Sequence, residues 1–176
     1  MKILKKLLLG ISIIIAGLLI AAIFIPNEYK ITHTVTIQKP QKEVYDYVKM
    51  LGNQKEWSTF MEADPNVKIT YSGKDGAVGA TQYWKGNDDV GEGSQKIIRL
   101  DGERIDVELH FIKPFEGINR AGSIIKPINS GSCTHTEVFY GSESYPKNLL
   151  NIPMKIMLEE YFIKNGNNLK KRLENK

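Results

Sequence analysis

A chain of 176 residues, 41% hydrophobic and 25% charged, has the make-up of one globular core with an apolar segment attached. Its net charge is +4, but Lys2, Lys5 and Lys6 supply most of that excess and the other basic residues nearly balance the 20 acidic ones, which excludes the concentrated basic face that nucleic acid binding needs. The single cysteine, Cys133, excludes an intramolecular disulfide and a thiolate metal cluster, and reads as a buried structural thiol in a strand.

Leu7 to Ile25 carries no charge and one hydroxyl, Ser12. Roughly nineteen residues at about 1.5 Å each match a hydrocarbon layer of about 30 Å. Pro26 and Asn27 stop the run. The lysines ahead of it place the N-terminus in the cytoplasm and the remaining chain on the non-cytoplasmic side. Ala21 and Ala22 are adjacent and inside the run, so they do not offer the small-x-small site of a cleaved signal peptide. Residues 1–26 therefore read as an uncleaved membrane anchor and residues 27–176 as the folded domain.

Tyr29, Ile31, His33, Val35 and Ile37 alternate with polar residues, which predicts a half-buried strand. Pro40 suits the first turn of a helix over 40–50, with Val44, Tyr47, Val48 and Leu51 inward and Gly52 closing it. Asn53 to Phe60 reads as a short second helix or turn. From Val67 to Glu143 the chain is strands and tight turns, the Asp101-Gly102 pair marking a hairpin. Ile105, Val107, Leu109 and Phe111 share one face of the strand that follows. Gly91-Glu92-Gly93 opens a strand, not a helix, and reads as a bend or bulge instead of a phosphate cradle.

The last stretch, Asn148 to Leu173, places Leu150, Met154, Met157, Leu158, Tyr161, Phe162, Leu169 and Leu173 at three- and four-residue steps. That spacing predicts a long amphipathic helix. The expected fold is α+β: a curved antiparallel sheet wrapped around a long C-terminal helix, preceded by one transmembrane helix.

This order of elements, together with several short motifs, resembles the SRPBCC superfamily (START and pollen-allergen-like helix-grip proteins), and within it the polyketide cyclase/dehydrase-like group. The motifs are Pro40-x-x-x-Val44-Tyr45, Trp57, Val78-Gly79-Ala80 leading to Trp84-Lys85-Gly86, and Val90-Gly91-Glu92-Gly93. Phe111-x-Lys113-Pro114, Thr136-Glu137-Val138 and Asn165-Gly166-x-Asn168-Leu169-Lys170 complete the set. The closing motif departs slightly from the family, with Gly166-Asn167 where Gly-Leu is usual. The resemblance implies a deep apolar cavity between sheet and final helix for a lipid, sterol, polyketide or other hydrophobic molecule. It does not imply cyclase activity.

On that expectation Trp57, Trp84, Phe111, Phe115, Phe139, Met154, Met157, Leu158 and Phe162 are the candidate ligand-binding wall; without it they would simply fill a core. No hydrolase, phosphate-loop or zinc-protease motif is present, and nothing calls for a cofactor. His33, His110 and His135 fall on different strands, so no metal site is expected. His135 and Glu137 share strand parity with Cys133 and Phe139. On a concave face they would be a buried acid–base pair able to serve a cyclase-type reaction; on a convex face they are surface charges, the simpler reading of two polar residues. The basic end, Lys170-Lys171-Arg172 with Lys176, reads as a complement to the helix dipole. Three functions follow: a membrane-anchored binder of a hydrophobic molecule or lipid, an enzyme using His135 and Glu137, or an interaction module with a filled core. Oligomeric state is not legible.

Overall fold

A computed structural model describes residues 2–114 and 116–175. Helix α1 (Lys2–Ile23) has 22 residues, and only Ala22 among them is buried. By length and composition it can cross a bilayer. Strand β1 (Glu28–Ile37) follows, then α2 (Gln41–Val48). The short second helix or turn expected over 53–60 is a 3-10 turn, Leu51–Glu56, followed by a single-turn α3 (Thr59–Glu62). The Asp75 carboxylate fixes that turn by accepting the Leu51 and Gly52 amides at 2.7 and 3.0 Å.

Six more strands complete one sheet: β2 (Lys68–Ser72), β3 (Thr81–Lys85), β4 (Glu92–Leu100), β5 (Arg104–Lys113), β6 (Gly117–Asn129) and β7 (Ser132–Ser142). All pairings are antiparallel, in the order β1-β7-β6-β5-β4-β3-β2, so the first strand closes beside the last. The glycine-rich stretch is a bulge, as read: the β4–β5 register shifts between Glu92 and Gly93. A Cβ on Gly93 would meet the Trp84 ring and the His110 carbonyl at 2.6 Å each. Glycine there lets the indole cross β4 on the concave side.

Helix α4 (Asn151–Glu174) lies in that concavity and packs chiefly on β1 and β7. At Gly166 it comes so close that an added Cβ would stand 3.0 Å from the His33 ring. Leu169 and Leu173 join a core with Ile37, Val44, Ile97 and Ile125, all fully buried or nearly so. Leu158 and Phe162 form a second cluster with Ile31 and Phe139. Arg172 is held by Glu56, which also accepts from Tyr47, so this basic residue has a specific partner beyond the helix dipole.

The predicted stripe needs correction at its N-terminal end. Leu150, Met154 and Met157 are 49, 38 and 40% exposed. Along the predicted stripe, burial begins at Leu158. The first half is apolar on several sides, with Ile152 and Ile156 also exposed, a pattern a water-facing helix does not adopt.

Truncation separates the two halves of α4. Leu169→Ala should lower the unfolding free energy of the detergent-solubilised chain by about 2–5 kcal/mol. Met157→Ala should stay within about 0.5 kcal/mol of the parent. Urea titration reads both, and equal losses would mean that the first half is buried too.

Candidate functional site

Strand β7 is central, paired on both sides, and its odd-numbered residues Cys133, His135, Glu137 and Phe139 face α4. His135 is 1% and Glu137 7% exposed. The surface-charge reading is therefore corrected: parity with Cys133 and Phe139 prevails over polarity. Directly across from Glu137 lie His33 on β1 and Ser123 on β6. His33 is half-buried in the concavity beside Gly166.

The buried groups form a connected set. His135 Nε2 lies 2.9 Å from Ser123 Oγ. Its ring meets Trp57 edge-on, with centroids 6.4 Å apart. Asn165 of α4 donates through Nδ2 to Glu137 Oε1 at 3.5 Å and accepts the Thr59 amide through Oδ1 at 2.7 Å. Four buried atoms around this set have no hydrogen-bond partner among the described residues: Trp57 Nε1, Thr59 Oγ1, His135 Nδ1 and Glu137 Oε2. Unpaired polar atoms at such depth call for a water or a ligand group to satisfy them.

Burial pushes the Glu137 carboxyl up to about 8, opposed by the hydrogen bond from Asn165. Burial, with His33 adding to it, draws the His135 imidazole down to about 4. Near neutral pH the acid is thus protonated and the imidazole neutral. Two groups whose charged forms are both disfavoured can divide the roles of proton donor and acceptor.

A second polar row crosses the concave face further along. Gln95 Nε2 donates to Gln82 Oε1 and Gln54 Oε1, linking β4, β3 and the 3-10 turn. Gln82 is fully buried. Sequence reasoning passed over Ser123, Thr59, Asn165 and both strand glutamines. Gln82 shares parity with Trp84, and Gln95 with Gly93 and Ile97, so strand alternation was the signal that could have found them.

The apolar candidates separate into groups. Phe139, Leu158 and Phe162 meet in one buried cluster, with Leu109 packed against it. Trp84 and Phe111 stack edge to face at 5.9 Å. Trp57 belongs to the other core cluster. Met154 and Met157 are outside both, on the flank of α4 that carries Tyr161, stacked on Phe60 at 4.6 Å. Phe115 lies outside the described residues.

Two concavities, of about 480 and 490 Å³, open on the surface. The first runs between Ile25, Pro26 and Tyr29 on one side and Ile152 and Ile156 of α4 on the other. The second lies by Asp101, Arg104 and Ile124. Neither is the deep space between sheet and helix that the resemblance implies.

Seven antiparallel strands curved about a single C-terminal helix, with two short helices after the first strand, define a helix-grip fold. Norcoclaurine synthase from Thalictrum flavum, solved with dopamine and hydroxybenzaldehyde, shares it at a TM-score of 0.63 and 14% identity, over 84% of this chain and 87% of that one. Ara h 8.0201 matches at a TM-score of 0.53 and 12% identity, over 81% and 97% of the two chains. The di-domain ARO/CYC protein BexL of the BE-7585A biosynthetic pathway matches at 0.58 and 15%, over 83% of this chain and 46% of its own. At these identities the likeness is one of fold. No family model and no curated protein matches the sequence.

The buried pair predicts a distinctive pH profile. The Glu137 contribution to stability is fully present below about 4.5 and is lost as pH rises toward 8. The His135 contribution is present above 6.5 and is lost as pH falls toward 4. The two slopes oppose one another at mildly acidic pH, and above 6.5 Glu137 acts alone. Between pH 6.5 and 8 stability should fall by up to about 1.4 kcal/mol per pH unit. Glu137→Gln should flatten that decline in denaturant titrations, and an unchanged slope would refute the assignment.

Proposed function

We propose that this protein is a membrane-tethered helix-grip domain that takes a hydrophobic small molecule or lipid on the concave side of its sheet. The observation that carries the reading is the partial cover given by α4. Because the helix packs on β1 and β7, Leu109 and Phe111 of β5 stay half-exposed beside the indole of Trp84. The flank of α4 bearing Asn168 and Arg172 is turned toward Glu62 and Glu56, and Met154 and Met157 continue that flank beyond α3. Half-exposed apolar side chains with two deformable thioethers near them suit ligands of varied shape. The complex of norcoclaurine synthase with small aromatic molecules supports the same use of the fold.

In this reading α1 spans the bilayer with Lys2, Lys5 and Lys6 on the cytoplasmic side and the domain on the other. Confinement beside the membrane raises the encounter rate with partitioned ligands without any added contact. The second reading, an enzyme of cyclase type, is favoured by the orphaned atoms of Glu137 and His135 and by their opposed proton affinities.

Full-length protein released from its membranes in mild detergent should carry a recurring small apolar adduct in native mass spectrometry. Leu109→Trp, which adds bulk beside Phe111, should cut its occupancy about tenfold, close to 1.4 kcal/mol of binding. No adduct after exposure to broad membrane extracts would overturn the binding reading. The enzyme reading expects the adduct to change mass with time, and Glu137→Gln to stop that change while leaving occupancy intact.

A further inference from the structure

We infer that the first two turns of α4 lie in the headgroup layer of the bilayer that α1 crosses, making a second membrane contact beside the spanning helix. This rests on the reading of α1 as a transmembrane segment and adds to it a surface and a fixed orientation.

Two buried asparagines carry the inference. Asn148, 1% exposed, donates through Nδ2 to the carbonyls of Ala22 and Ile25, both at 2.7 Å. Asn151, 4% exposed, donates to the carbonyls of Pro26 and Asn27 at 2.9 and 3.1 Å. Ala22 is in the last turn of α1 and Ile25, Pro26 and Asn27 form the linker just beyond it, so the two side chains tie the helix end and its linker from more than a hundred residues away. The start of α4 is thereby held one hydrogen bond from the end of α1.

Depth follows from length. At about 1.5 Å per residue, the uncharged run from Leu7 to Ile25 fills a hydrocarbon core of about 30 Å, so Ile25 stands at its edge. Beyond that edge the headgroup layer extends several ångströms more. Leu150, Ile152 and Ile156 fall in this zone, since Ile152 and Ile156 line the same groove as Ile25 and Pro26. They are 49, 53 and 59% exposed, next to Phe24 at 81%.

A patch of this kind, continuous with a spanning helix, takes the bilayer surface as its occupant. Charge adds no preference: Lys30 and Lys155 on the groove rim are matched by Glu28 and Glu159. Apolar burial therefore holds the contact, and it does not depend on anionic lipid.

The test uses the full chain in phosphatidylcholine nanodiscs. Phe24→Cys, Ile152→Cys, Ile156→Cys and Val78→Cys are each labelled with an environment-sensitive fluorophore and quenched by lipids carrying a headgroup nitroxide. Cys133 is fully buried and does not take up the label. Val78, 61% exposed ahead of β3 near the opposite edge of the sheet, is the reference. Positions 24, 152 and 156 should be quenched at least threefold more than position 78, equally with and without phosphatidylglycerol. Quenching at 24 alone overturns the inference and leaves the anchor standing; quenching at none overturns both. In Asn148→Ala/Asn151→Ala, checked by circular dichroism for retained fold, quenching at 152 should fall by half or more while that at 24 holds. Unchanged quenching at 152 would remove the asparagines from the account.

Discussion

Contact between the C-terminal half of α4 and the pair β1–β7 decides what the remaining surfaces can do. Leu169 and Leu173 are buried there without polar interruption, and Gly166 allows the helix to press against β1. This seat seals Glu137 and His135 from solvent. It also keeps the helix on the β1–β7 side of the sheet, and Leu109 and Phe111 of β5 stay half-exposed.

The architecture was legible because each element carried its own local signal. Alternation on β1 and β5 showed which residues share a face, and Gly91 to Gly93 marked the bulge through residue types that tolerate close approach. The direction of a face was harder to read. On β7 polarity pointed His135 and Glu137 outward, whereas Cys133 and Phe139 at the same parity pointed inward, and only a helix seated above that strand resolves the conflict. Asn165 and Thr59 complete the buried set across a sequence separation of 106 residues, beyond the reach of local pattern.

The helix stripe failed at its N-terminal end for a different reason. A three- and four-residue period identifies an apolar face but not how far along the helix the partner extends. Ile152 and Ile156, off the chosen stripe, were the sign that the first half does not behave as a soluble amphipathic helix. A polar centre within the core and an apolar surface near α1 both run against the usual arrangement. Such departures from local consistency concentrate where a protein carries out its task.

The ties to the end of α1 and its linker couple the two ends of the fold through the side chains of Asn148 and Asn151. A shortened protein starting at Glu28 would strip both amides of their acceptors and leave them stranded at the base of the closing helix. Fraying there would loosen the wall that Leu158 and Phe162 build against Phe139. A water-soluble fragment is thus a less faithful stand-in for the whole than its intact sheet would suggest.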